Sequence, residues 1–283
     1  MSDAVLESQH RRAAEAISAA GALLVTAGAG MGVDSGMPDF RGPEGFWRAY
    51  PAYRALGLRF EEMANPRWFA ADPRLAWGFY GHRMTLYRKT APHGGFAILR
   101  RWAESKAHGP FVFTSNVDCH FQRSGFSPDR LVECHGTLEY FQCTARCGAG
   151  LFSSAGVAVD VDPQTFRAVG DLPSCPKCGS LARPNILMFG DFGWDSSLTE
   201  QQEIRMMDWL AAVRTSGARL VVIELGAGTG VPTVRMTGER MVSSPGTTLI
   251  RINVREPEGP AGHVGIAQGA LAALTAIDEL LST

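Results

Sequence analysis

A glycine-rich turn that directly follows an apolar run does most to define how this chain can fold. The run Ala22-Leu23-Leu24-Val25 is short and continuous, which is typical of a strand buried in a parallel sheet. Gly28 and Gly30 follow it, and glycine allows backbone N–H groups to come close to a phosphate. Many strand-to-helix turns carry such glycines for packing alone, so the turn by itself is weak evidence of a phosphate site. The next segment, Pro38-Asp39-Phe40-Arg41, strengthens it by adding a carboxylate, an aromatic ring and a guanidinium.

Further apolar runs predict the rest of a parallel sheet. The predicted strands are 22–27, 110–114, 220–225 and 247–252. The predicted helices are 8–20, 93–106, 198–215 and 265–281. Strands that alternate with helices predict an α/β fold, a doubly wound parallel sheet of the Rossmann-like kind. A second glycine turn, Gly226-Ala227-Gly228, follows the third predicted strand.

The composition argues against several classes of partner. With 27 basic and 28 acidic residues the net charge is −1, so we do not expect nucleic-acid binding. We find no apolar run of about 18 residues, and residues 1–20 are polar, so neither a membrane partner nor a secretory signal is expected. These features predict a cytoplasmic protein. The six cysteines then fit metal ligation or free thiols better than disulfides.

Four of the cysteines form two close pairs. Three residues separate Cys143 from Cys147, and two separate Cys175 from Cys178. Four thiolates suit a closed tetrahedral Zn²⁺ site, which has no open position and is therefore structural; free thiols or a disulfide are the alternative.

The cysteine pairs also suggest how the chain is divided. Residues 138–182 have few long apolar runs, so we expect a small zinc-binding module there, inserted between residues 1–137 and 183–283 of the Rossmann-like domain. Residues 42–90 are rich in Arg, Trp, Phe, Tyr and Pro and predict short helices that line a cleft.

Polar side chains follow the second predicted strand, at the edge where open α/β sheets bind ligands. Asn116 and Asp118 alternate along the chain, so both can point into one cleft, where they suit a carboxamide and ribose hydroxyls. Helix capping is their alternative role. His135 lies eight residues before Cys143 and can act as a general base. An isolated histidine is more often a core residue, but its spacing to the metal site favours a functional role.

Five motifs, in the same order, resemble those of the sirtuins, the NAD-dependent protein deacylases. They are 28–41, 114–118, the pair His135-Gly136, 183–191, and Asn253 after the fourth strand. The likeness covers roughly residues 20–280. It implies an enzyme that uses NAD, carries structural zinc and acts on an acyl-lysine in a protein or peptide.

The resemblance also implies roles for individual residues. NAD would contact Gly28, Ala29, Gly30, Asp39, Phe40, Arg41, Ser115, Asn116, Asp118, Gly226, Ala227, Gly228 and Asn253. The catalytic residues would be His135, Asn116 and Asp118, with His135 taking a proton through the ribose hydroxyls after the acyl oxygen attacks C1′. The products would be lysine, nicotinamide and O-acyl-ADP-ribose.

The substrate side of the cleft is expected to include the apolar segment 186–189. It could pair as a strand with the peptide backbone, which gives affinity with little sequence selectivity. The residues implied in substrate contact there are Ile186, Leu187, Phe189 and Gly190.

A second pattern bears on the acyl group. Tyr80 and Arg83 stand at i and i+3 of a predicted helix and therefore share one face. Sirtuins that prefer succinyl- or malonyl-lysine carry a Tyr-x-x-Arg in this region, and a guanidinium with a phenol suits a carboxylate. The alternative is that Arg83 pairs with a local acid such as Asp72 while Tyr80 packs in the core.

Other functions remain open at this point. ADP-ribosyl transfer or NAD hydrolysis would keep the NAD site and His135 without needing an acyl channel. A non-catalytic NAD-binding protein is suggested by Gly32, where sirtuins usually have Ser, by Ser115, where they have Gln, and by the altered second glycine turn. A nicotinamide oxidoreductase is disfavoured, because no acidic residue ends a clear second strand about 20 residues on.

Overall fold

The structure is a computed structural model that describes residues 3–38 and 42–282. The strands are β1 (Ala22–Ala27), β2 (Pro110–Thr114), β3 (Leu131–Glu133), β4 (Gly136–Cys143), β5 (Phe152–Ser153), β6 (Asp160–Val161), β7 (Ala168–Val169), β8 (Ala182–Ile186), β9 (Leu220–Leu225), β10 (Thr247–Ile252) and β11 (Val264–Ile266). The helices are α1 (Asp3–Ala19), α2 (Gly42–Ala49), α3 (Pro51–Ala55), α4 (Phe60–Met63), α5 (Trp68–Ala71), α6 (Pro73–Lys89), α7 (Gly94–Glu104), α8 (His120–Arg123), α9 (Ser197–Thr215), α10 (Thr233–Val242) and α11 (Ala270–Leu281). Short 3₁₀ helices cover Ala29–Ser35 and Pro128–Arg130.

A six-stranded parallel sheet lies at the centre, in the order β11-β10-β9-β1-β2-β3. Val25 of β1 lies between Val112 of β2 and Ile223 of β9. The chain therefore builds outward from β1 in both directions. This order puts a topological switch point between β1 and β9, where doubly wound sheets bind their ligands.

Helices cover both faces of this sheet. Leu23 and Val25 belong to one core with residues of α1, α7 and α11, whereas Leu24 belongs to another with Trp209 and Leu210 of α9. Alternate residues of one strand thus enter different cores, and because both faces are buried the strands are mostly apolar. The exceptions include Glu224 of β9 and Arg251 of β10, which form a buried ion pair with each other.

A third core joins residues 42–90 to the cysteine-bearing segment. β5, β4 and β8 form an antiparallel sheet, and the β6–β7 hairpin lies against α6. Gly78 and Gly81 permit this close approach, since a Cβ on Gly78 would lie 1.9 Å from Phe166 O and one on Gly81 2.8 Å from Val159 Cβ. Residues 42–90 are helical as predicted, with four short helices, α2 to α5, followed by the 17-residue α6, while their lining of a cleft stays a prediction.

The four strands predicted from apolar runs are confirmed at the same bounds, whereas β3 and β11 were not predicted. The helix predicted over 265–281 is wrong at its start, because β11 occupies Val264–Ile266 and α11 begins at Ala270. The boundaries predicted at 137 and 183 fall within β4 and β8, and the domain division stays a prediction. Among the described helices, none is both long and apolar enough to span a bilayer.

Candidate active site

The two glycine turns pack directly against each other at the switch point. A Cβ on Gly30 would lie 2.6 Å from Gly226 Cα, and one on Gly28 2.9 Å from Ala227 Cα. Gly226 itself has a φ of 60°, which favours glycine. Glycine at these positions therefore allows the two turns to pack in direct backbone contact.

Backbone hydrogen bonds reinforce this contact. The N–H groups of Gly28 and Gly30 donate to Leu225 O and Gly226 O, each at 3.0 Å. These two N–H groups are thus engaged within the protein, and contact of Gly28, Ala29 and Gly30 with the cofactor stays a prediction. Ala29, which lies between them, begins the 3₁₀ helix Ala29–Ser35.

The side chains after β2 meet the first glycine turn. Asn116 Nδ2 donates to Gly28 O at 3.0 Å, so this amide connects the ends of β2 and β1. Asp118 Oδ1 accepts from the His120 N–H at 2.9 Å, which is the capping role considered for it. Ser115, Asn116 and Asp118 are all partly exposed, and the orientation of Asn116 and Asp118 into one cleft stays a prediction.

Asn253 plays the matching part on the other side of the switch point. Its Nδ2 donates to Ala227 O at 2.7 Å, and its Oδ1 accepts from the N–H groups of Arg255 and Glu256. The side chain is 5% exposed. Asn253 therefore holds the second glycine turn and the loop after β10 together, and a ribose contact from it stays a prediction.

Gly228 lies in the same turn. Its neighbour Thr229 donates to a carboxylate oxygen of Glu256 at 2.8 Å. This bond attaches the second turn to the loop after β10 once more.

His135 lies in the short turn between β3 and β4 and is partly exposed. Burial lowers the pKa of its imidazole below the usual value of 6.5. The neutral form, which can accept a proton, is therefore favoured near pH 7. The next residue, Gly136, has a φ of 72°, and a Cβ there would lie 2.0 Å from Asn185 O, so β8 fixes this turn closely.

Glu133 is a buried acid that the sequence reasoning did not identify. Its carboxylate accepts from Gln122 Nε2 at 2.9 Å, and its backbone N–H donates to Gln202 Oε1, also at 2.9 Å. Thr199 Oγ1 donates to Glu133 O at 3.0 Å. Burial raises the pKa of the carboxyl to about 7. These bonds attach the end of β3, two residues before His135, to α8 and α9.

The four paired cysteines come together as predicted. Their Sγ atoms all lie within 4.8 Å of one another. Cys143 Sγ lies 3.6 Å from Cys178 Sγ, and Cys147 Sγ lies 3.6 Å from Cys175 Sγ. Four thiolates at about 2.3 Å from one Zn²⁺ would be roughly 3.8 Å apart, so the cluster fits that ion. Cys119 and Cys134 are buried outside this cluster.

Tyr80 and Arg83 share a face of the continuous helix α6 and are both buried, at 1% and 8% exposed. The acid considered as a partner for Arg83 is engaged elsewhere, since Asp72 accepts from Arg167 at 2.8 Å. The guanidinium instead lies over the rings of Phe79 and Tyr87 at 5.2 and 5.3 Å. Among the described atoms, no hydrogen-bond partner faces the buried Tyr80 hydroxyl.

The substrate strand predicted over 186–189 requires a correction. β8 ends at Ile186, which is buried and pairs with Gly136 of β4. Beyond it, the Leu187 N–H donates to His135 O at 3.0 Å and the Phe189 N–H donates to Ala64 O at 2.9 Å. These groups therefore bond within the protein and cannot pair with a peptide.

The neighbouring loop is held by a buried ion pair that the sequence did not reveal. Arg183 Nη2 lies 2.5 Å from Asp191 Oδ2, and both side chains are almost fully buried. The Leu187 and Phe189 side chains are 37% and 38% exposed, and Gly190 follows with a φ of 69°. Of the predicted substrate residues, these three remain accessible candidates.

Three residues predicted to contact the cofactor lie outside the described residues: Asp39, Phe40 and Arg41.

Comparisons with known proteins identify the family and the fold of this chain. The profile of the Sir2 family matches residues 28–220. A protein of Pyrococcus furiosus named NAD-dependent protein deacylase is 34% identical over 194 residues, which cover 67% of this chain and 70% of the relative. The dog protein named NAD-dependent protein deacylase sirtuin-5, mitochondrial, is 30% identical over 259 residues, covering 84% and 78%. A solved Sir2 homologue in complex with ADP ribose is similar with a TM-score of 0.69 at 26% identity, covering 96% of this chain and 97% of that one.

Proposed function

Because this chain belongs to the Sir2 family, we propose that it is an NAD-dependent protein-lysine deacylase. One observation carries the proposal beyond the family match. Asn116 joins the loops after β2 and β1, and Asn253 joins those after β10 and β9. The bond from the Gly30 N–H to Gly226 O joins the two pairs at the switch point. Deacylase relatives from an archaeon and a mammal support the same activity.

The residues at this edge fit NAD by the chemistry of their donors and acceptors. Asn116 and Asp118 present an amide and a carboxylate at an accessible edge, which suits a carboxamide or ribose hydroxyls. The pyrophosphate is assigned to the first glycine turn, Gly28-Ala29-Gly30, as the family resemblance implies. When bound, NAD supplies a ribose carbon that becomes electrophilic as nicotinamide departs.

We assign His135 the role of general base. Its lowered pKa keeps the ring neutral near pH 7, and the bond from the Leu187 N–H to His135 O fixes the backbone from which the ring projects. The metal cluster, with four thiolates and no open position, would be structural. The proposed role of the zinc is therefore to support the strands that lead to His135.

For the acyl group we propose that Arg83 and Tyr80 bind a terminal carboxylate, as in succinyl- or malonyl-lysine. Tyr80 supports this because its buried hydroxyl has no acceptor among the described atoms, and an unsatisfied buried donor is costly. Arg83 supplies a buried cation on the same helix face. A ligand carboxylate would accept a hydrogen bond from the Tyr80 hydroxyl and pair with the Arg83 guanidinium.

Mass spectrometry of matched acetyl- and succinyl-lysine peptides, with and without NAD, tests the function. We expect NAD-dependent loss of the acyl group with formation of nicotinamide, and no turnover by His135→Ala. Release of free ADP-ribose without peptide would favour NAD hydrolysis instead, and absence of any turnover would favour a non-catalytic NAD-binding protein.

The acyl preference is tested by Arg83→Met. We expect succinyl-lysine turnover to fall by at least tenfold while acetyl-lysine turnover changes little, because only the carboxylate loses a charge-assisted pair. Equal losses on both substrates would mean that Arg83 is structural. A cytoplasmic location remains a prediction.

A further inference from the structure

Tyr87 is the next residue along the face of α6 that carries Tyr80 and Arg83. It follows Arg83 by four residues, a spacing that brings two helical side chains together. Tyr87 is 7% exposed, so its hydroxyl lies in the protein interior. The sequence analysis did not identify it, although the i, i+4 spacing was visible.

The phenol makes two hydrogen bonds with the guanidinium. Arg83 Nε donates to Tyr87 Oη at 2.9 Å, and Arg83 Nη2 donates to the same oxygen at 2.7 Å. Both bonds use one edge of the planar guanidinium, so they fix the direction in which its other edge points.

The backbone of Tyr87 is attached to the nucleotide side of the cleft. Arg123 Nη1 donates to Tyr87 O at 2.6 Å and to Thr90 O at 2.8 Å. Arg123 ends α8, which begins two residues after Asp118. The C-terminal turn of α6 is therefore fixed relative to the Asn116–Asp118 edge.

The chemistry of a phenol suits this position. Burial raises the pKa of Tyr87, so the hydroxyl stays neutral. A neutral acceptor orients the guanidinium without cancelling its charge, whereas a carboxylate in the same place would neutralise it. A phenol at this position is therefore compatible with the proposed pairing of Arg83 with an anionic acyl group.

We propose that Tyr87 is a positioning residue that sets acyl preference, by holding the Arg83 guanidinium in the orientation that receives a terminal carboxylate. The inference rests on the proposed reading of a carboxylate by Arg83. It goes further in assigning the orientation of that group to a residue that does not itself contact the substrate.

The test compares four full-length proteins: wild type, Tyr87→Phe, Tyr53→Phe and Arg83→Met. Tyr53→Phe is the matched control, because its buried hydroxyl donates to Phe166 O at 3.2 Å in the same aromatic core. kcat and KM are measured for succinyl- and acetyl-lysine peptides of one sequence at saturating NAD. Acetyl-lysine turnover also reports whether each variant is folded.

In Tyr87→Phe we expect KM for the succinyl peptide to rise about tenfold, with kcat and the acetyl KM within about twofold of wild type. Tyr53→Phe should leave the ratio of the two KM values unchanged. If Tyr87→Phe keeps the wild-type ratio while Arg83→Met loses it, the role of Tyr87 is overturned and the carboxylate site stands. If Arg83→Met also keeps the ratio, the carboxylate site and this inference are both overturned.

A measurement without a variant covers the case in which Tyr87→Phe does not fold. In a crystal structure of the wild-type protein with a succinyl-lysine peptide, Tyr87 Oη should lie within about 3.2 Å of Arg83 while that residue contacts the carboxylate. Separation of the two side chains in that complex would overturn the inference.

Discussion

Burial favours the neutral form of both titratable side chains at the end of β3. It raises the pKa of Glu133 to about 7 and lowers that of His135 below 6.5. The two effects have the same cause, since a charged group loses water in either case. A neutral imidazole is what a general base requires.

The pKa of Glu133 makes a prediction about stability. In the unfolded chain this carboxyl titrates near 4.5, and in the folded protein near 7. Between these values the folded state retains a proton that the unfolded state has lost, so stability falls as pH rises through this window. The loss amounts to at most about 3 kcal/mol.

Glu133→Gln removes this loss because the amide cannot ionise. The measured quantity is the melting temperature of the variant minus that of wild type. We expect this difference to be roughly 6 °C larger at pH 8 than at pH 5. Thermal unfolding at both pH values measures the difference. The exposed Glu139→Gln serves as control and should show the same offset at each pH. An offset for Glu133→Gln that does not change with pH would contradict the prediction.

At the scale of elements, the two glycine turns act as one unit. The Gly30 N–H donates to Gly226 O, and no side chain fits between the two turns. Gly30→Ala would place a Cβ 2.6 Å from Gly226 Cα, where only backbone could move. We expect it to cost roughly 2 kcal/mol of stability and to weaken NAD binding at least tenfold.

Gly32→Ala provides a matched control two residues away. A Cβ on Gly32 would lie 3.2 Å from Met37 Cβ, a side chain that can shift slightly. Calorimetric titration with NAD, together with thermal unfolding, separates the two variants. Equal behaviour of Gly30→Ala and Gly32→Ala would show that the contact between the turns does not shape the site.

The sequence predicted those elements whose signal is local. The segments 22–27, 110–114, 220–225 and 247–252 are rich in apolar residues, although Glu224 and Arg251 interrupt the last two, and all four strands are found where expected. β3 and β11 have three residues each and lie at the sheet edges, so no periodicity could reveal them. Cysteine spacing predicted the metal cluster because the ligands lie close in sequence.

Contacts between distant segments could not be predicted in this way. The bond from the Leu187 N–H to His135 O joins residues 52 positions apart, and it removes a donor that the apolar pattern of 186–189 had suggested for the substrate. The bond from the Glu133 N–H to Gln202 Oε1 on α9 likewise joins residues that are far apart in the sequence. Backbone pairing and buried polar contacts depend on the assembled fold, which the composition of either segment does not encode.

Across the whole molecule, the metal cluster and the proposed base are connected by one strand. β4 begins at Gly136, directly after His135, and ends at Cys143, roughly 23 Å away along an extended strand. β8 pairs with β4 and leads to Leu187, which bonds to His135 O. A disturbance at the cysteines can therefore reach His135 through backbone pairing.

Zinc removal tests this connection. Cys175→Ser should abolish binding of one Zn²⁺ per chain and lower the melting temperature, because a small metal module derives much of its stability from its ion. Deacylase activity should fall at least tenfold although the metal does not contact the substrate, since β4 would no longer fix the His135 turn. Elemental analysis, thermal unfolding and peptide turnover give the three readings.

Ser174→Ala, beside the ligand, should retain metal and activity. Full activity in a zinc-free Cys175→Ser protein would show that the His135 turn is held by the six-stranded sheet and α9 alone, without support from the metal cluster.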